Sequence, residues 1–283
     1  MQPERREDRP AWDSTDAEGT LERLDGFDSF PFEGKTDYRR GQGPGVIVMH
    51  ELPGMIPECI ELARAIAAAG YAVYLPLFFG RPGQPPAMLG PLARICLSRE
   101  FTALRRGRSS PITAWLRALA RFVREETGGG SVGVIGMCLT GGFALAMLLD
   151  EAVAAPVVCQ PSLPLVFPWS GPATRSDLGI DPEELARIKD RVARESIPVL
   201  GFRFESDPIC PRERMVRLRQ ELGDQFLEHE LPGDGHAVLT LHFRRLRPED
   251  QDAVWRTLLG FLNDRLKAGQ GLIPPTPAMP RAD

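Results

Sequence analysis

Six short apolar runs recur between residues 46 and 231: VIVM, AVYL, VGVI, APVVC, IPVLGF and FLEHEL. Several lack the apolar–polar alternation of a strand wet on one face, so they read as strands covered on both sides. Helical patterns lie between them. Ile112, Leu116, Leu119 and Val123 follow Ser110-Pro111, an N-cap and first-turn proline. Leu185, Ile188 and Val192 follow Asp181-Pro182, and Met215, Leu218 and Leu222 run from Pro211 to a stop at Gly223. Val254, Leu258, Phe261 and Leu262 mark a helix near the C-terminus. Strand–helix alternation on this scale implies an α/β fold with a mostly parallel, doubly wound sheet and helices on both faces.

The 283 residues, 43% of them hydrophobic, suffice for one large domain. We expect that domain over residues 26–267, with a disordered extension at 1–25 and a Pro-rich flexible tail at 268–283. Residues 82–110 mix prolines with five arginines (Arg94, Arg99, Arg105, Arg106 and Arg108). They read as a solvated insertion with a short helix or as a cap over a pocket.

Thirty-four basic against 38 acidic residues give a net charge of −4, no basis for a nucleic-acid or anionic-membrane partner. A small-molecule role is the expectation, and oligomeric state is not legible. The five cysteines, Cys59, Cys96, Cys138, Cys159 and Cys210, include no CxxC pair, so neither a disulfide framework nor a zinc site is expected. With no apolar segment of signal-peptide or membrane-spanning type, the expected compartment is a reducing cytoplasm.

Within VGVIGMCLTGG, a strand runs through Gly136-Met137 into Cys138, and small residues then open a helix. A nucleophile elbow has this form, with small residues two positions either side of the nucleophile, although Thr140 stands where glycine is usual. Alone, the motif equally fits an ordinary strand-to-helix turn with a buried cysteine. The elbow reading requires an acid and then a histidine later in the chain. Among four histidines, His236 lies in the glycine-rich turn PGDGHAVL, where a general base belongs, while His50, His229 and His242 read as structural. HELPG occurs twice, at 50–54 and 229–233, but neither copy is an HExxH zinc helix. Asp207, in VLGFRFESDPICP, is the candidate acid at a strand's C-terminal end, with Glu205 as alternate and a plain turn-forming role as the other reading.

In this arrangement His236 takes the Cys138 proton and Asp207 fixes the imidazole tautomer. The Leu139 and Leu52 amides are the candidate oxyanion donors.

Over residues 45–266 the chain resembles the dienelactone hydrolase family, cysteine-dependent members of the α/β-hydrolase superfamily. HELPG, AAGYAVYLPLFFGR, GMCLTGG, ESDPICP and GDGHA carry the resemblance, in the family's order. It implies an α/β-hydrolase fold and hydrolysis of a small-molecule ester or lactone through a thioester at Cys138. It also implies that Glu51 contacts the thiol and helps control its ionisation, and that Arg81 binds a substrate carboxylate. The family's second carboxylate-binding arginine falls at Thr240, which removes a charge-assisted contact worth about 1.5–3 kcal/mol. A noncatalytic ligand-binding or thiol-sensing protein of the same fold, and a thioesterase using the same residues, are the alternatives. No motif implies a cofactor or a metal.

Overall fold

The computed structural model describes residues 24–83 and 111–267. Of the expected segments, residues 1–23, 84–110 and 268–283 lie outside the described residues.

Eight strands form one sheet: β1 (Asp28–Phe32), β2 (Lys35–Arg40), β3 (Gly45–Met49), β4 (Ala72–Pro76), β5 (Val132–Met137), β6 (Val153–Cys159), β7 (Val199–Phe204) and β8 (Phe226–Leu231). Their order is β1-β2-β4-β3-β5-β6-β7-β8. From β4 through β8 every pairing is parallel, and β1 and β2 add an antiparallel edge. All six apolar runs are strands, and β3, β4, β5 and β7 are buried at every residue.

The β1–β2 hairpin is not anticipated in the sequence reading, because an edge pair carries charge instead of an apolar run. Its turn is Glu33-Gly34, both at positive φ (43° and 80°), the requirement of a two-residue type I′ loop. Phe30 and Phe32 share one face and pack on Phe122, with Phe30 also against Tyr74 and Phe32 against Trp115. That apolar face holds the edge in register.

Seven helices flank the sheet among the described residues: α1 (Pro57–Ala68), α2 (Pro111–Glu126), α3 (Gly141–Ala146), α4 (Pro172–Ser176), α5 (Pro182–Glu195), α6 (Arg212–Leu222) and α7 (Pro248–Leu266). Apolar residues of α1 and α7 fill one core, and those of α2, α3, α5 and α6 fill the other. Helices thus cover both faces, as the unalternating strands require. Asp181 caps α5 by accepting from the Glu183 and Glu184 amides at 2.9 and 3.3 Å. No described helix is long and apolar enough to cross a membrane.

Because β3 and β5 to β8 run parallel, the loops after them emerge along one edge of the sheet. Ligands bind in such sheets at that edge.

Candidate active site

Cys138 sits at the C-terminal end of β5 with φ of +52°, a left-handed conformation that costs a non-glycine residue about 1–3 kcal/mol. The packing around it leaves no room for larger neighbours. A Cβ on Gly136 would overlap the Thr140 carbonyl oxygen, and one on Gly141 would lie 2.8 Å from Pro161 Cα. Thr140, the departure from the usual glycine, has φ of −91° and needs no glycine. Its hydroxyl accepts from the Met137 amide at 2.9 Å and lies 3.2 Å from the Met49 carbonyl, joining the ends of β5 and β3. The substitution therefore fits the elbow.

His236 lies in the turn after β8, 9% exposed, and Asp207 lies in the turn after β7, 5% exposed. His236 Nδ1 is 2.9 and 2.7 Å from the two Asp207 oxygens. Asp207 Oδ1 also accepts from the Ile209 and Cys210 amides at 2.8 and 2.9 Å, so the carboxylate is fixed by its own turn. Glu205, the alternate acid, is exposed and accepts instead from the Gly233 amide at 3.3 Å. Burial disfavours the His236 imidazolium, but the charge of Cys138 and hydrogen bonds to Asp207 and Cys138 outweigh it and raise the pKa to about 10.

Glu51 follows β3 and is buried. A Glu51 carboxylate oxygen, Cys138 Sγ and a His236 ring nitrogen all lie within 4.8 Å of one another. This is also a mixed O, S and N donor set that could hold a metal ion, but a metal there would occupy the thiolate and the imidazole together. Two neutral donors hold the Glu51 carboxyl: the Thr240 hydroxyl on Oε1, and Gln160 Nε2 on Oε2 at 3.3 Å. Burial raises the Glu51 pKa, and the His236 charge with these two hydrogen bonds offsets only part of the rise.

Leu139 is buried in the 3-10 turn that opens α3, where first-turn amides lack intrahelical acceptors. Leu52 is half-buried in the loop that carries Glu51. Arg81 lies in the loop after β4, and that loop is pinned to the Glu51 loop at three points. Phe78 N donates to His50 Nε2 at 3.1 Å, the Phe79 ring meets the His50 ring edge-on, and Gly83 N donates to the Met55 carbonyl at 2.7 Å. His50 is therefore a neutral staple between the loops, and burial lowers its pKa to about 4.

Three neighbours of the site escape sequence reasoning. His242 Nδ1 accepts from the His236 and Ala237 amides, both at 2.9 Å, and so fixes the backbone that carries His236. Burial, Arg245 and the His236 charge lower its pKa, consistent with an unprotonated Nδ1. Gln160 and Ser162 stand in the loop after β6, facing Glu51 and His236 respectively. No spacing signal identifies them, because their partners lie 74 to 109 residues away in sequence.

The family model described as "Dienelactone hydrolase family" matches residues 33–266. A Saccharomyces cerevisiae protein named "Putative carboxymethylenebutenolidase" is 24% identical over 227 residues, covering 80% of this chain and 80% of that protein. A Klebsiella pneumoniae structure described as "Putative Dienelactone Hydrolase" aligns with a TM-score of 0.57 and 19% identity over 83% of this chain and 96% of the other. TT1662 from Thermus thermophilus aligns with the same TM-score and 18% identity over 84% and 98% of the two chains. These structures share the α/β-hydrolase fold with this chain.

Proposed function

Since the chain belongs to the dienelactone hydrolase family and is a hydrolase of ester or lactone bonds, we propose that it cleaves a small-molecule substrate through a thioester at Cys138. The observation that carries the reading is the cluster of Cys138 Sγ, His236 and Glu51 within 4.8 Å, with Asp207 bonded to the far imidazole nitrogen.

Cys138 Sγ, having given its proton to His236, attacks the carbonyl carbon. The carbonyl oxygen becomes an oxyanion held by the Leu139 and Leu52 amides. Collapse forms the thioester and expels the alkoxide, which takes the proton from His236 Nε2. Neutral His236 then removes a proton from water as the water attacks the thioester, and the Cys138 thiolate departs with the acid released. Asp207 keeps the other proton on Nδ1 throughout. Glu51, held by neutral donors and raised in pKa by burial, acts on the ionisation of the adjacent thiol.

The substrate we favour carries little negative charge on its acyl part. Arg81 is the one cation that the family resemblance assigns to a substrate carboxylate, and at the second position the Thr240 hydroxyl is committed to Glu51. A reducing compartment, with the cytoplasm as our choice, suits a site built on a thiolate; the four described cysteines are free and buried.

Turnover of a panel of activated esters and lactones tests the reading. Wild-type protein is expected to hydrolyse several of them, and Cys138→Ala to fall to the background rate. A Cys138→Ala variant as fast as wild type would sink the mechanism, and a wild-type protein that turns over none would favour a binding or sensing role.

A further inference from the structure

Ser162 is fully buried in the loop after β6, and its Oγ lies 3.4 Å from His236 Nε2, the imidazole nitrogen that Asp207 does not hold. The hydroxyl has one hydrogen, and its better acceptor is the Gln160 carbonyl at 2.8 Å. Ser162 therefore presents a lone pair to Nε2, which suits a protonated nitrogen and not a neutral one. Its backbone is tied to the nucleophile as well, since Ser162 N donates to the Cys138 carbonyl at 3.0 Å. The loop itself is braced by the buried Arg214, which donates to the Pro161 and Pro164 carbonyls, both at 2.8 Å. The serine oxygen is thus held at a set place beside the thiol–imidazole pair.

We propose that Ser162 is a positioning residue for His236: its hydroxyl oxygen accepts from the protonated Nε2 and holds the imidazolium poised beside Cys138. The inference rests on the reading of Cys138 as nucleophile. With Asp207 on Nδ1 and Ser162 on Nε2, both N–H groups of the imidazolium keep protein acceptors even after the sulfur has moved onto the substrate. When His236 turns neutral to activate water, the serine hydroxyl rotates to donate to Nε2 or gives way to the water. The titratable groups that face His236 are Cys138 from the elbow, Asp207 after β7, Glu51 after β3 and His242 from its own turn, with Arg245 and Asp234 acting on His242. Ser162 adds no charge to this set, and it acts by direction alone.

The test is the pH dependence of Cys138 alkylation by iodoacetamide in full-length wild-type, Ser162→Ala and Ser162→Thr proteins, with the modified cysteine mapped by mass spectrometry. In Ser162→Ala the midpoint is expected to rise by about one pH unit, a roughly tenfold slower alkylation below the midpoint, with the high-pH plateau unchanged. Ser162→Thr, which keeps the hydroxyl, is expected to restore most of the wild-type midpoint. Coincident wild-type and Ser162→Ala midpoints, or equal shifts in both variants, would overturn the inference. A wild-type Cys138 that is inert at every pH would instead overturn the nucleophile reading, and this inference with it. A second measurement needs no serine variant: in Cys138→Ala protein the His236 Nε2–H is expected as a hydrogen-bonded, slowly exchanging NMR signal below the histidine's titration point. Exchange at the rate of free imidazole would contradict the role.

Discussion

Two buried carboxylates stand at the site, one bonded to His236 and one beside Cys138, and the chain holds them by different chemistry. Asp207 accepts from two backbone amides and from His236, all N–H donors, at 2.7 to 2.9 Å. Glu51 accepts from a threonine hydroxyl and a glutamine amide, and it is wholly buried. Three well-directed donors fix the Asp207 carboxyl in place, whereas burial among neutral donors raises the Glu51 pKa and favours its protonated form. The contrast assigns the two acids different tasks. In the proposed mechanism, Asp207 holds the base in place, and Glu51 responds to the charge of the nearby thiol.

The largest effect that separates them is expected from Asp207→Asn. The new Oδ1 can still accept from the Ile209 and Cys210 amides, so the turn survives, but Nδ2 now faces His236 Nδ1 and enforces the wrong tautomer. Ester turnover is expected to drop on the order of a thousandfold with little change in Tm. A drop under tenfold would remove the distinction between the two acids.

Thr240→Val comes next. It keeps the side chain's shape but deprives Glu51 Oε1 of its hydroxyl donor, at a cost to stability of about 1–3 kcal/mol above neutral pH. Denaturant titration at pH 8 and at pH 4 reads it, and the loss should be smaller at the lower pH, where the carboxyl is neutral. Equal losses at both would mean that Thr240 serves only to pack.

Glu51→Gln is expected to have the smallest effect on stability and the opposite sign. Because the folded-state pKa of Glu51 lies above its unfolded value, ionised Glu51 costs stability as pH rises through the folded pKa. Removing the charge is expected to raise stability at pH 8, a gain that fades as pH falls through the raised folded pKa toward the ordinary carboxylate range. A loss of stability at pH 8 would mean that Glu51 is a satisfied anion like Asp207, and the comparison would collapse.

The strands of the parallel sheet could be read in the sequence because strands covered on both faces appear as unbroken apolar runs. The β1–β2 edge could not, since Lys35, Asp37, Arg39 and Arg40 mask its pattern and its Glu33-Gly34 turn is a short signal. Helix α1 was also missed: its N-cap is Ile56, which offers no capping side chain, and only Pro57 marks its start. In the site, chain order and loop position point to Cys138, His236 and Asp207, with Glu205 as the alternate acid, and the structure brings the first three together. Glu51 required the family resemblance, because a buried glutamate after a strand otherwise reads as a turn residue. His242 and Ser162 carry no motif; each matters through a single atom near His236, a proximity created only when loops distant in sequence meet at the sheet edge.

The central claim is that Cys138 forms a covalent acyl intermediate. Quenching the wild-type protein in acid during its first turnovers of p-nitrophenyl acetate, then mapping the modified peptide by mass spectrometry, tests it directly. An acetyl group on Cys138 is expected to appear with the burst of nitrophenol and to vanish once substrate is exhausted. Steady turnover with Cys138 unmodified at every time point, or with the acetyl group on another residue such as Ser162, would contradict it.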